Sequence, residues 1–271
     1  MRYTGIQPQY FPRLHYFARI LNADIFVVRD DVQFVRKHKY PDGRTDKSFQ
    51  VHTPIKQSFG TYLLTVLTKH EGFTNLQQTQ LSYDQDWVES HLKTIQLSYS
   101  KAANFQTLCP EIGNLLTYQY DNLVQLNTAT IFWGILHLLG EPQVEPEQLT
   151  FEFIKRKLAK QKIFRLKDIQ SASESRALTD NGDLTANEKI IALCKEIGAN
   201  EDYCGGTGAA AYMDDKIFAE NGIKITVQDW KCNEYPQLFT KQVGFIPNLS
   251  IIDLLMNADI KRAQNVILGN D

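Results

Sequence analysis

Arg13-Leu14-His15, Asp30-Asp31 and Cys204-Gly205-Gly206 bring a guanidinium, an imidazole, two carboxylates, a thiol and permissive backbone to the ends of apolar runs, where α/β proteins assemble binding sites. Each group implies a chemistry. His15, close to the start of a helix, is placed to steady charge on a leaving phosphate. Asp30 or Asp31 can orient an amine or take its proton. Neighbours in an extended chain point to opposite faces, so at most one of the pair faces a given cleft unless the strand ends there. Arg13 and Lys37 are candidate phosphate holders, and Lys37 belongs to a basic stretch, residues 36–39, that equally reads as a solvated loop. A Cys204 thiol at a helix N-terminus would have a lowered pKa and act as a nucleophile; a small residue in a tight turn is the simpler account. The amides near Gly205–Gly208 can approach a developing oxyanion closely because glycine has no Cβ.

Around these groups Gln7, Tyr10, Gln33, Gly205, Gly206, Tyr212, Asp229, Tyr235 and Asn248 are candidate substrate contacts. Pro8 and Pro12 also fit a plain turn on which Tyr10, Phe11, Tyr16 and Phe17 pack. Ser250 and Asp253 match a Ser-x-x-Asp helix start, which favours capping over catalysis. Among the glycines, Gly205–Gly208 forms neither Gly-x-Gly-x-x-Gly nor a phosphate-binding P-loop. The four cysteines, 109, 194, 204 and 232, include no Cys-x-x-Cys, and the six histidines show no metal-ligand spacing, so no metal is expected. The residues assign no cofactor.

Composition narrows the partners. With 271 residues, 43% of them hydrophobic, the chain can bury a large core. A net charge of -2, with both signs mixed along the chain, gives no footprint for nucleic acid or an anionic membrane. No apolar run approaches the ~18 residues that span a bilayer, and Met1-Arg2 leads straight into strand-like sequence without a signal-peptide pattern. A cytoplasmic protein acting on a small molecule is expected.

The elements that must position these residues read as follows. Arg2–Ile6 is a strand, an amphipathic helix follows with Pro12 in its first turn, and Ile25–Val28 is a strand buried on both faces. Pro41-Asp42-Gly43 is a turn and Ser48–Ile55 a strand. Residues 72–140 are mostly helical: Trp87, His91, Ile95 and Tyr99 keep helical spacing, as do Leu115 through Leu138, and Gly140 ends the run. Phe164–Ile169 is weakly strand-like. Thr185 and Glu188 form a capping box for a helix stopped by Gly198. A Gly-rich loop, a helix over 209–221, a strand over 224–229 and a closing helix over 249–256 complete the pattern. The expectation is an α/β, Rossmann-like, mostly parallel sheet with a helical insertion: residues 1–70 and 151–271 build the α/β part and 71–150 a helical subdomain.

Taken in order, Gln7-Pro8-x-Tyr10-Phe11-Pro12 with Tyr16-Phe17, Asp30-Asp31-Val32-Gln33-Phe34, Gly205–Tyr212, Asn221-Gly222-Ile223, Tyr235-Pro236-Gln237 and Phe245–Leu255 resemble the WbqC-like family of bacterial proteins. The resemblance implies transfer of glycine or another acyl group onto an amino group of a sugar nucleotide or related small molecule, in surface polysaccharide or specialised metabolite biosynthesis. The chain departs from that pattern at Arg13-Leu14-His15 and at residues 38–46. Two alternatives stay open: nucleotidyl transfer or adenylate formation, carried by Pro12–His15, and non-catalytic sugar-nucleotide binding.

Overall fold

Ile25–Val28, an apolar run too short for a helix, lies within one parallel sheet ordered Lys224–Val227, Glu201–Cys204, Arg2–Ile6, Ile25–Val28, Asp168–Ser171. The computed structural model describes residues 1–39, 43, 45–69, 72–141, 144–180 and 183–270; the side chains of His38, Lys39 and Tyr212 are outside that description. The expected turn at Pro41-Asp42-Gly43 lies outside the described residues apart from Gly43, whose φ is +83°. Numbered along the chain, the strand order is 5-4-1-2-3, the first five strands of a Rossmann-like sheet.

Both faces are covered. One carries helices Leu14–Leu21, Ile251–Asn257 and Ile260–Leu268 and, packed beyond them, Trp87–Tyr99, Phe105–Thr117 and Leu123–Leu139. Phe17, Phe26, Leu123, Ile131 and Ile252 share that single apolar core, so the helices of residues 71–150 are built onto the sheet's own core. Each such side chain contributes about 1.5–3 kcal/mol when fully buried. Packing is close: a Cβ on Gly134 would meet Phe17 Cζ at 2.5 Å. The other face packs Tyr3, Val27 and Ala172 against Ile190, Leu193, Cys194 and Phe218.

Several elements differ from expectation, each for a local reason. Pro12 precedes its helix, which runs Leu14–Leu21 with Arg13 at the cap position, because the Ile251 N–H donates to Pro12 O and holds that segment extended. Ser48–Val51 turns, and the strand is His52–Gln57, paired antiparallel with Gly60–Thr65. Residues 72–86 hold only a 3₁₀ turn, Leu76–Gln78, and short strand pairing before the first long helix. The apolar series from Leu115 to Leu138 belongs to two helices, because Asn122 caps the second by accepting from Gln125 N. Gln161 holds residues 163–166 in a turn through four side-chain hydrogen bonds, shifting the strand to Asp168–Ser171. Glu201–Cys204 is a strand, not part of a loop. Asp214 caps a separate helix Asp215–Glu220, which divides the expected helix after Gly208. The capping box at Thr185 is present, and Gly140 and Gly198 end their helices with φ of +73° and +70°. Among the described residues no helix is long and apolar enough to cross a membrane.

Candidate functional site

A 5-4-1-2-3 sheet reverses direction beside its first strand. The chain moves outward on one side through Ile25–Val28 and Asp168–Ser171, then returns to the other side with Glu201–Cys204. Outside the carboxyl ends of the strands at such a switch the two following loops diverge and leave a crevice. Here those loops are Gln7–Arg13 and Gly205–Gly206.

The first loop is rigidly held. Gln7 Oε1 accepts from Gln50 Nε2 (2.8 Å), Pro8 O from Asn127 Nδ2 (3.1 Å), and Phe11 O from Thr53 and Ser250 hydroxyls (2.6 and 3.1 Å). Phe11, at φ +37°, occupies a backbone region costly for a bulky residue, and these bonds together with Thr130 Oγ1 on its N–H fix it there. The loop delivers Arg13 and His15 to the crevice.

Asn248 completes the arrangement from the far end of the chain. Its Oδ1 accepts both the His15 N–H (2.9 Å) and a bond with His15 Nδ1 (3.0 Å), and Arg13 Nη1 donates to its carbonyl (3.3 Å). A carboxamide oxygen only accepts, so Nδ1 carries the proton and Nε2 keeps the lone pair. Burial, aided by Arg19 and Arg13, lowers the His15 pKa to about 4. The imidazole is therefore neutral at pH 7. One turn further along the helix, Arg19 Nε donates to Gln228 Oε1 (2.9 Å), and Gln228 Nε2 donates to His15 O (3.0 Å). The Arg19 guanidinium lies against Gly205, where a Cβ would come within 2.5 Å of Nη2. Arg13, His15, Arg19, Gln228, Asn248 and Gly205 thus form one connected cluster bearing two cations.

The other residues singled out from the sequence are distributed differently. Asp30 is buried and accepts from Ser171 Oγ (2.6 Å), Ser173 N (2.9 Å), Ser173 Oγ (2.7 Å) and Gln77 Nε2 (2.9 Å). Asp31 is held by Arg29 through both oxygens (2.7 and 2.9 Å), which keeps Arg29 above its ordinary pKa although burial works against its charge. Cys204 and Gly205 border the crevice, but burial and then the Asp202 charge push the Cys204 thiol up to about 12, the opposite of an activated nucleophile. Tyr10 is fully buried, with its hydroxyl 3.0 Å from His91 Nδ1. Tyr235 is a core residue whose hydroxyl donates to Asp253 Oδ1 (2.8 Å), opposite Tyr99 on Oδ2 (2.7 Å). Ser250 does cap its helix, accepting from Ile252 N; Asp253 instead sits buried between the two tyrosines, and burial raises its pKa to about 6. Gln33 and Lys37 are exposed, away from the cluster's hydrogen bonds. Gly206 opens the helix Gly206–Tyr212, whose last side chain is outside the described residues. Asp229 lines a cleft of about 480 Å³ with Tyr203, Trp230 and Lys231, alongside the helix that carries Arg19.

Arg19 and Asp202 were not singled out from sequence, and Gln228 was noted only with Asp229 at the end of a strand. The His15–Arg19 spacing of four was a readable sign of a shared helix face. Asp202 was hidden because Glu201-Asp202 reads as loop. It is buried in the strand beside Tyr3, and burial raises its pKa to about 7 against the pull of Arg19 and Arg29. Among the described residues no group of three or more His, Cys, Asp or Glu is placed to hold a metal ion.

A parallel α/β sheet ordered 5-4-1-2-3 defines the class as a Rossmann-like protein, with the Arg13, His15 and Arg19 cluster beside the switch point of that sheet. The chain belongs to the WbqC-like protein family, whose model matches residues 7–265. It is similar to the uncharacterized protein Rv1507c of Mycobacterium tuberculosis (strain ATCC 25618 / H37Rv), 28% identical over 255 residues that cover 93% of this chain and 91% of that protein. No solved structure matches.

Proposed function

We propose that this protein is a cytoplasmic acyl or aminoacyl transferase that forms an amide, glycine being the first donor to test, on the amino group of a nucleotide-linked amino sugar or related small molecule, for surface polysaccharide or specialised metabolite biosynthesis. The observation that carries this reading is the pair of guanidiniums, Arg13 and Arg19, whose charges both act on a neutral imidazole whose tautomer Asn248 fixes. Two cations with little exposed surface suit a phosphate or diphosphate. A lone pair close to both charges suits an amine that must lose a proton as it attacks.

In this reading the amine nitrogen bonds to the carbonyl carbon of the activated acyl group, the leaving group departs with its electron pair, and the nitrogen's proton passes to His15 Nε2 and on to the leaving group. An imidazole with a pKa of about 4 is a weak base in the free protein. Burial is the larger cause of that low value; an anionic phosphate bound near Arg13 and Arg19 offsets the contribution of their charges, and to that extent substrate binding strengthens the base. Asp30 and Asp31, with their oxygens already engaged, shape the neighbouring strand end. The adenylate-forming alternative is weakened because the first amides of the helix donate to Leu249 O and Asn248 Oδ1, not outward to phosphate.

Calorimetry with nucleotide-linked amino sugars, the matching free sugars and ATP tests the reading, followed by turnover with glycyl donors. Binding of the nucleotide-linked compounds, weakened at least about tenfold (~1.4 kcal/mol) in Arg19→Ala, is expected. Affinity unchanged in that variant overturns the crevice as the site. The free-enzyme kcat/KM profile should show no His15 inflection between pH 5 and 8, while the kcat profile should show an inflection above pH 4 that His15→Ala abolishes.

A further inference from the structure

A second cleft, of about 380 Å³, opens in the helical layer between Phe105–Thr117, the end of Leu123–Leu139 and the junction before Ile260–Leu268. At its floor Glu111, with a side chain 7% exposed, accepts from His137 Nε2 (2.7 Å) and Trp133 Nε1 (3.3 Å), both on Oε2. Among the described residues no donor reaches Oε1, although Glu111 lines the cleft. Oε1 is thus the open acceptor of an otherwise buried side chain, facing the cleft with no protein donor among the described residues.

The surroundings specify one. Thr107, Glu141 and Asp259 line the same space, and no lysine or arginine does. The facing charged groups are His137, already on Glu111, and Lys157, which is paired with Glu141 (2.5 Å). Asp259 accepts from Arg262 N as the cap of its own helix. The 17-residue helix Leu123–Leu139 ends at this cleft, and the negative end of its dipole favours a cation. Leu108, Leu255, Ala258 and Ile260 supply an apolar wall. Asn104 fixes that wall by donating to Leu255 O and Ala258 O (2.7 and 2.8 Å).

We propose that this cleft is a binding site for a small aliphatic amine, its ammonium on Glu111 Oε1 and its chain against Leu108, Leu255 and Ile260. The site is separate from the crevice at the sheet, so substitutions there leave it intact. The desolvated carboxylate makes the charge of the ligand decisive: an alcohol of the same length has nothing to offer Oε1 that offsets a lost ammonium.

The test is titration of the whole protein with n-butylamine, 1,4-diaminobutane and butan-1-ol, read by calorimetry and by the His137 ring resonances. Saturable amine binding that shifts those resonances, with no binding of butan-1-ol, is expected. Glu111→Gln should weaken amine binding at least about tenfold. Thr107→Arg, an exposed change one turn before Glu111, places a guanidinium within reach of the carboxylate and should abolish amine binding while leaving thermal unfolding unchanged. Equal affinity for butan-1-ol, amine binding that survives both substitutions, or no amine binding at all would each overturn the proposal.

Discussion

Asn248 holds three atoms of the opposite end of the chain with one side chain and one carbonyl, and it does so from a left-handed conformation, φ +56°. Two costs are separable by substitution. Asn248→Ala removes the carboxamide and leaves a Cβ in an unfavourable backbone region; Asn248→Gly removes only the carboxamide. Denaturant unfolding should find the alanine variant about 1 kcal/mol less stable than the glycine variant, and both should lose turnover because the His15 tautomer is no longer fixed. Asp30 offers the complementary case. Its carboxylate receives four donors, so Asp30→Asn turns an amide N–H₂ toward groups that donate, and equilibrium unfolding should show a loss of about 1–3 kcal/mol. A stability loss with ligand affinity preserved would mark Asp30 as a support of the strand end. Sequence makes the polar residues at strand ends visible, but it does not show which already have partners. Ser171, Ser173 and Gln77 reach Asp30 from segments whose proximity exists only in the folded sheet.

At the scale of elements, the strand-helix-strand opening, the capping box at Thr185 and the helix stops at Gly140 and Gly198 were legible because their signals are local. Glu201–Cys204 was not, since its two leading acids fit no apolar alternation; it is a strand because Arg2–Ile6 and Lys224–Val227 pair with it on either side. Similarly, nothing near Arg19 in sequence announces that Gly205 will leave room for its guanidinium. Gly205→Ala tests that fit. The nearest atoms to the added Cβ are the far end of a flexible side chain, so the fold should absorb it within about 1 kcal/mol. Arg19 must move, however, and affinity for a phosphate-bearing ligand should fall about tenfold or more in calorimetry. Unchanged affinity would separate the arginine from the ligand.

The whole molecule responds to pH through groups dispersed over it. His15, His52 and His91 all have pKa values lowered to about 4, chiefly by burial, so each takes up a proton on unfolding between pH 4 and 6.5. Asp202 and Asp253, raised to about 7 and about 6 by burial, do the reverse and release protons on unfolding above pH 4. Near pH 5 three uptakes against two releases leave roughly one net proton taken up, so stability should rise from pH 5 toward 7 with a slope of about 1.4 kcal/mol per unit at most and flatten there. Urea unfolding at stepped pH measures it, and a slope of opposite sign would show that the buried aspartates dominate. The tie between Asn248 and the helix at Leu14 also orders events in time. At roughly 5–20 residues per second, synthesis leaves the first strand waiting on the order of tens of seconds before residue 248 is made. A chain interrupted before that point carries Arg13, His15 and Arg19 but lacks the residue that fixes the imidazole, so the polar cluster assembles only after residue 248 has been made.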